Sequence, residues 1–387
     1  MDISKFGSMF IQLSQGSFSP GQQVNGVINL NLIQQIPGAN QIYLVLAGME
    51  MVSLNEHQPY FDLKGRNTKS KDINIKHGEE HTVCNYRFPV YTFTSDFMPQ
   101  GMYSFPFSFI LDANLPSSFS LQFSNPPISR MEWAQCSASV EYNLMAFIDD
   151  NNPNTPPIRY VQKFNVNQAD VANLGVHKCS IRKDHNSCAC FGQGSTVLTS
   201  HFEKNEYCPG ETAHMLTEID NSASNEIVQA VTTIFSQKYT FKAGTYTHIF
   251  TVNHQESTTR GIEAGGKLPT QRLEVKLVGK KDVLITPTCR GKLVKNEYFL
   301  LNRARVDPSC NCDSPYAEAT MFVTIRNPDM EYQKWVQPQN WQPKVMPVVQ
   351  FQPGQQYQQQ VFPPELIVRP PVVPENPANN GVPQHGS

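Results

Sequence analysis

Apolar and polar residues alternate along most of this chain, and this pattern constrains its fold more than any other feature. Ile28, Leu30 and Leu32 alternate with asparagines, residues 140–148 keep the same period of two over a longer run, and residues 272–277 repeat it. A period of two buries one face of a strand and leaves the other in water, which is typical of antiparallel sheets packed as sandwiches. Long amphipathic helical patterns are absent. The sequence therefore predicts an all-β protein.

One turn motif occurs twice in similar surroundings and indicates an internal repeat. Pro20-Gly21 precedes the predicted strand 24–32, and Pro209-Gly210 precedes a predicted strand through Met215 and Ile219. The pair suits a tight turn because Pro presets φ and Gly accepts a positive φ. Two such turns in matching contexts predict two similar β-sandwiches in tandem, with a boundary near residues 165–180.

Composition argues against several classes of protein. The first 170 residues carry 10 Lys and Arg against 14 Asp and Glu, and the remainder carries 21 against 19, so neither half has the basic excess of a nucleic-acid-binding domain. No apolar run reaches the roughly 18–20 residues of a membrane-spanning helix. The first residues do not resemble a signal peptide, no Asn-x-Ser/Thr sequon occurs, and the nine cysteines are odd in number and widely spread. We therefore expect a cytoplasmic protein without a disulfide framework.

Several motifs, taken in order along residues 7–326, resemble those of a known family. They are Pro20-Gly21-Gln22-x-Val24-x-Gly26, Gly101-x-x-Ser104-Phe105-Pro106-Phe107-Ser108-Phe109, Leu115-Pro116-Ser117-Ser118-Phe119, Tyr207-x-Pro209-Gly210-Glu211, Glu218-Ile219-Asp220-Asn221-Ser222 and Tyr298-Phe299-Leu300. In this order they resemble the arrestin superfamily, and more closely its arrestin-domain-containing (α-arrestin) branch.

The resemblance implies two tandem immunoglobulin-like antiparallel β-sandwiches, which we assign to residues 1–168 and 169–327. It also implies a non-catalytic adaptor without a cofactor, which links membrane cargo such as receptors or transporters to endocytic or endosomal sorting and often to a ubiquitin ligase. Such an adaptor would lie in the cytoplasm and associate peripherally with the plasma membrane or endosomes. By the same analogy, the segment Met9-Phe10-Ile11-Gln12-Leu13 would be an edge strand open to a cargo peptide.

The tail, residues 328–387, has a different composition from the sandwiches. It holds 12 Pro, 12 Gln and only 7 charged residues, so we expect it to be disordered. The Pro-Pro-x-Tyr motif with which α-arrestins bind WW domains of ubiquitin ligases is missing. Pro371-Val372-Val373-Pro374, with Arg369 beside it, fits the P-x-x-P pattern of a polyproline ligand. The tail is either a solvated spacer or such a ligand.

Two cysteine pairs raise the question of a metal site. They are Cys188-Ala189-Cys190 and Cys310-Asn311-Cys312, and two such pairs brought together would supply the four sulfur ligands of zinc. The usual spacing between paired ligands is two to four residues rather than one. Plain thiols are therefore favoured, and structural zinc and palmitoylation remain the alternatives.

One basic run stands out from the rest of the chain. Between Lys267 and Lys295 eight Lys and Arg stand against two acidic residues. Within it, the candidate binding residues are Lys276, Lys280, Lys281, Arg290, Lys292 and Lys295. The run is either a solvated sheet face or a surface that contacts anionic phospholipids, where each Lys or Arg contributes about 1 kcal/mol.

Motifs of enzymes are missing from the sequence. It contains no H-E-x-x-H, no G-x-S-x-G and no P-loop, and its ten histidines are scattered. We therefore predict no catalytic residue. The alternative to the adaptor is a structural or carbohydrate-binding β-sandwich protein outside trafficking.

Overall fold

The structure is a computed structural model that describes residues 5–39, 41–61, 70–94, 97–124, 132–149, 158–168, 178–186, 192–204, 206–280, 284–306, 314–328 and 335–351. Within these ranges the chain forms β-strands joined by turns, and none of the residues lies in an α-helix. The strands assemble into two sandwiches in sequence order, which confirms the predicted fold class.

The first sandwich packs two sheets face to face. Sheet A contains β1 (Gly7–Leu13), β3 (Gln23–Leu32) and β8 (Gly101–Ile110), in that spatial order. Sheet B contains β2 (Ser17–Phe18), β11 (Arg159–Val166), β10 (Glu132–Asp149), β5 (Gln41–Phe61) and β6 (Ser70–Thr92), with β9 (Phe119–Ser124) paired to β10. A small ribbon joins β4 (Ile36–Pro37) to β7 (Phe97–Met98). The alternation in the sequence sets the faces, since Ile28, Leu30, Val140, Tyr142 and Leu144 all point into the core.

The second sandwich repeats this plan. Sheet C contains β12 (Lys178–Asn186), β13 (Gly192–Phe202), β15 (Thr212–Ser224) and β18 (Lys267–Lys276). Sheet D contains β14 (Glu206–Tyr207), β21 (Tyr316–Ile325), β20 (Val294–Val306), β16 (Val228–Ala243) and β17 (Tyr246–Ile262), with β19 (Cys289–Arg290) paired to β20.

The repeat predicted from the two Pro-Gly turns is confirmed in the hydrogen bonds. Gly21 and Gly210 have φ of 77° and 87°, and their amides donate to the carbonyls of Leu111 and Leu277. The short strand before each turn, β2 or β14, pairs in parallel with the last long strand of its sandwich. The two halves therefore share a topology as well as a motif.

The cores of the two sandwiches differ in polarity. The first core is one continuous apolar cluster. The second core is divided into two apolar clusters by a polar layer around Asn302, which is fully buried. Its amide nitrogen donates to Ser200 Oγ and Thr217 Oγ1 at 2.8 and 3.1 Å, and its carbonyl oxygen accepts from Thr233 Oγ1 at 3.3 Å. The side chains of Asn302, Ser200, Thr217 and Thr233 therefore all form hydrogen bonds within the layer, as buried polar groups generally do.

The prediction of a disordered tail over 328–387 was wrong for residues 335–351, which we call the strap. Trp335 stacks against Phe10 of β1 with ring centroids 6.2 Å apart. Further along, β22 (Lys344–Val345) and β23 (Val349–Phe351) pair in parallel with β8, so the strap reaches both sheet A edges. Composition did not reveal this because two tryptophans and a few apolar anchors within a Pro/Gln-rich segment suffice to hold it. The tail motif at Arg369, Pro371 and Pro374 lies outside the described residues.

Candidate functional site

The two sandwiches meet at a buried carboxylate. Glu50 on β5 of the first sandwich is fully buried and accepts hydrogen bonds from three consecutive backbone amides of the second. The amides of Lys292, Leu293 and Val294 lie 3.1, 2.8 and 2.7 Å from its oxygens. They belong to the β19–β20 turn, where a Cβ on Gly291 would lie 2.0 Å from Glu50 Oε1. Glycine is therefore required at position 291 for the close approach of the carboxylate.

Apolar contacts and further hydrogen bonds extend this junction. Tyr239, Phe241 and Phe250 of the second sandwich belong to the same buried cluster as the core of the first. At the β16–β17 turn, the amide of Gly244 donates to Glu79 Oε2 at 2.6 Å. Because the core is continuous across the junction, the turn that binds Glu50 has a fixed place relative to the first sandwich.

The same turn carries three of the six basic residues predicted as a binding surface. Arg290 and Lys295 are cross-strand partners in β19 and β20, and Lys292 lies at the turn between them. Lys292 and Lys295 are exposed, whereas Arg290 is half-buried and pairs with Glu297 at 3.6 Å. The remaining three do not join this hairpin in the described structure: Lys276 ends β18 in sheet C, Lys280 is exposed in the following loop, and Lys281 lies outside the described residues.

Strand pairing adds two cations that the sequence reasoning missed. Gln237, Tyr239 and Phe241 of β16 point into the protein, so Lys238 and Lys242 lie on the outer face of sheet D. The register places Lys295 opposite Thr240, between these two lysines. Lys238 and Lys242 lie more than twenty residues before the basic run, so only knowledge of the β16–β20 pairing could have assigned them to the same surface.

The outer face of sheet D combines these cations with an exposed apolar side chain. Ile249 on β17 lies opposite Thr240 and is 56% exposed, so it shares this face with Lys238 and Lys242. We define the basic face as Lys238, Lys242, Arg290, Lys292 and Lys295, and Glu297 is the acidic residue among them. No ion pair involving the four lysines is found within the described part of the chain. The face therefore offers four ammonium groups next to the exposed Ile249, and one of them, Lys238, lies directly opposite Glu297 on β20.

A buried polar network supports the basic face from inside. Gln237 Nε2 donates to Asn296 Oδ1 at 2.8 Å, and Asn296 Nδ2 donates to the carbonyl of Pro287 at 2.6 Å. His254 Nε2 donates a hydrogen bond to Gln237 Oε1, and the two atoms lie 2.7 Å apart. The network fixes Pro287 in the segment that immediately precedes β19 and the β19–β20 turn.

This network makes stability depend on pH. Burial, together with the nearby Lys280 charge, lowers the pKa of His254 to about 4. In the unfolded chain the ring titrates near its ordinary value of about 6.5, so between these values the unfolded state binds more protons. We therefore expect stability to fall as pH decreases from about 6.5 to about 4. Urea unfolding of the wild type and a His254→Gln variant across this range measures the effect; the variant should lose less stability on acidification, and superimposable pH profiles would refute the assignment.

The cysteine pairs at 188/190 and 310/312 lie outside the described residues, so plain thiols remain the prediction there, with structural zinc and palmitoylation as the alternatives. In the ranges that the structure describes, no group of three or more His, Cys, Asp or Glu side chains is arranged to hold a metal ion. The described cysteines are free thiols, and burial raises the pKa of Cys84 and Cys136 to about 12. These two thiols are therefore packed as small apolar groups.

The described residues include no helix that is long and apolar enough to cross a membrane.

Comparisons with known proteins agree with the architecture. The family model for the arrestin (or S-antigen) N-terminal domain matches residues 8–172, and the model for the arrestin (or S-antigen) C-terminal domain matches residues 192–327. A search of curated proteins found no match. The two models together cover more than half of the chain, in the order of the two sandwiches. The chain therefore belongs to the arrestin-domain-containing proteins, which are generally non-catalytic adaptors.

Proposed function

We propose that this protein is an adaptor of the α-arrestin branch that links membrane cargo, namely receptors or transporters, to endocytic or endosomal sorting. It acts without a cofactor from the cytoplasmic side of the plasma membrane or endosomes. The basic face is the single observation that carries the proposal beyond family membership. It places Lys238, Lys242, Lys292 and Lys295 beside the exposed Ile249, and this combination suits an anionic membrane surface.

The physical argument for membrane contact rests on charge and apolar area together. Lys and Arg near an anionic leaflet gain about 1 kcal/mol each, and an apolar side chain gains further by entering the headgroup region. Because the junction at Glu50 fixes the β19–β20 turn, a membrane on this face would hold the first sandwich in a defined orientation toward cargo.

The first sandwich supplies the cargo-binding side in this proposal. β1 lies at one edge of sheet A, as the predicted edge segment 9–13 requires, and its described pairing partner is β3. The outward ring of Phe10 is covered by Tyr160, at 4.8 Å between centroids, and by Trp335 of the strap. The backbone of β1 rather than its outer face is thus the part that suits strand addition.

Recruitment of sorting or ubiquitin-ligase machinery is assigned to residues 352–387. This segment lacks Pro-Pro-x-Tyr, so direct docking of a WW-domain ligase is not proposed. Arg369, Pro371 and Pro374 remain the proposed polyproline ligand for such machinery.

Proximity labelling in cells tests the proposal. The full chain is compared with a chain that ends at Phe351, which keeps the strap and removes the segment with Arg369, Pro371 and Pro374. We expect membrane transporters or receptors with both chains, and sorting proteins with the full chain alone. Absence of membrane and sorting proteins from both samples would overturn the adaptor role, and selective binding in a glycan array would then support the carbohydrate-binding alternative.

A further inference from the structure

The strap covers the side of the first sandwich that lies between β8 of sheet A and β6 of sheet B. Between β8 and β6, Phe109 and Phe88 face each other with ring centroids 6.0 Å apart. Phe351 of the strap stacks on Phe88 at 4.4 Å and is 3% exposed. Met346 is also buried, and its amide donates to the carbonyl of Ser104 at 2.9 Å. We call the space between β6 and β8 the β6–β8 groove.

Side chains of the strap divide into anchors and outward residues. Met346 and Phe351 enter the groove five positions apart, whereas Val345 and Val348 are 67% and 61% exposed. When a peptide adds as a strand to a sheet edge, its main-chain hydrogen bonds form with almost any sequence, and specificity comes from the pockets that bind its side chains. The groove therefore selects an extended segment with two bulky apolar side chains at this spacing.

The backbone pairing of the strap is short for a strand of a sandwich. It contributes two residue pairs through β22 and three through β23, whereas β3 contributes ten on the other side of β8. Pro347 lies between the two short strands and has no N–H to donate, so it interrupts the ladder. A segment held by few hydrogen bonds and a few side-chain contacts opens at a lower free energy than the strands beneath it.

We propose that the β6–β8 groove is a docking site for an extended apolar peptide of a partner protein, and that the strap occupies it until such a peptide takes its place. The occupant carries bulky apolar residues at the positions of Met346 and Phe351, runs parallel to β8 and pairs with it. This goes beyond the adaptor function, because it holds whether or not the partner is a membrane protein.

Binding of a labelled synthetic peptide with the sequence of residues 335–351 tests the groove. Fluorescence anisotropy is measured with the full wild-type chain and with a full-length Met346→Ala/Phe351→Ala variant. The covalently attached strap competes at a high effective concentration, so we expect the variant to bind the peptide at least about 10-fold more tightly than the wild type. A Val345→Ala/Val348→Ala variant, changed at outward positions, should keep the affinity of the wild type.

The specificity of the site is tested with a peptide in which the two anchors are replaced by serine, which should not bind the Met346→Ala/Phe351→Ala variant. Equal binding of both peptides, or no binding of the native peptide to the folded variant, would overturn the proposal.

Hydrogen exchange of the wild-type chain gives a test that needs no variant. The amides of Met346 and of β23 should exchange at least about 100-fold faster than those of β3, because the strap opens while the sandwich stays folded. Equal protection of strap and sandwich would show that the strap is a fixed part of the core and would refute exchange with a partner.

Discussion

A Glu50→Ala variant is expected to lose about 3 kcal/mol or more of unfolding free energy, although the residue forms no ion pair within the described part of the chain. The substitution leaves the amides of Leu293 and Val294 buried without an acceptor, and it removes the acceptor of the partly buried Lys292 amide. Each buried donor that loses its partner costs about 1–3 kcal/mol. Because these donors belong to the second sandwich and the carboxylate to the first, the loss should also weaken the junction. Urea unfolding monitored by fluorescence measures the free energy, and the cooperativity of the transition reports whether the sandwiches still unfold together.

The control for this variant removes a carboxylate of the same sheet whose environment is different. Glu141 pairs with Lys163 at 2.9 Å at a partly exposed site, so Glu141→Ala should cost less than about 1 kcal/mol. Gly291→Ala provides a second route to the same contact, since its Cβ would collide with the Glu50 carboxylate. The two substitutions should be markedly less than additive when combined. Equal costs for Glu50→Ala and Glu141→Ala, or full additivity with Gly291→Ala, would refute the role of Glu50 at the junction.

Local sequence patterns predicted the fold because the constraints on it are local. Alternation assigns the inward face of each strand, and the Pro-Gly pairs at 20–21 and 209–210 specify turns through their own backbone preferences. Both signals depend on a residue and its neighbours in the sequence, and neither depends on which strands pair. This is why the two sandwiches and their repeat could be predicted without knowledge of how the strands pair.

The site depends on contacts between distant parts of the chain, and these are not encoded in spacing. Glu50 meets its three amides across more than 240 residues. Its position between Gly48 and Val52 in the inward-facing set of β5 indicates burial, but nothing near it in the sequence indicates its partners. The basic run predicted Arg290, Lys292 and Lys295, but Lys238 and Lys242 join them through the register of β16 with β20. The strap was missed for a related reason: its order comes from pockets in the first sandwich, which composition alone does not reveal.

Neutralising the basic face is expected to lower binding to anionic vesicles by roughly 100-fold. Lys238, Lys242 and Lys295 lie on the outer face of adjacent strands, and their replacement by Gln removes three charges without changing a described ion pair. At about 1 kcal/mol for each cation near the surface, the loss sums to about 3 kcal/mol. Co-sedimentation with vesicles that contain phosphatidylserine measures the affinity, and vesicles of phosphatidylcholine alone give the baseline.

The matched control carries the same change of charge on other sheets. Lys178 and Lys183 lie on β12 of sheet C and Lys76 lies on β6 of sheet B, so their joint replacement by Gln removes three charges but leaves sheet D intact. If vesicles bind the basic face itself, this control keeps most of the affinity of the wild type. If they bind the protein only through its net charge, both variants lose affinity to the same extent. Salt separates the two contributions further, because raising the ionic strength from 0.1 to 1 M shortens the screening length from about 10 to about 3 Å. Affinity that remains at high salt and is lost on Ile249→Ser would then belong to the apolar part of the face; equal losses for the two lysine triplets would refute the basic face as the membrane contact.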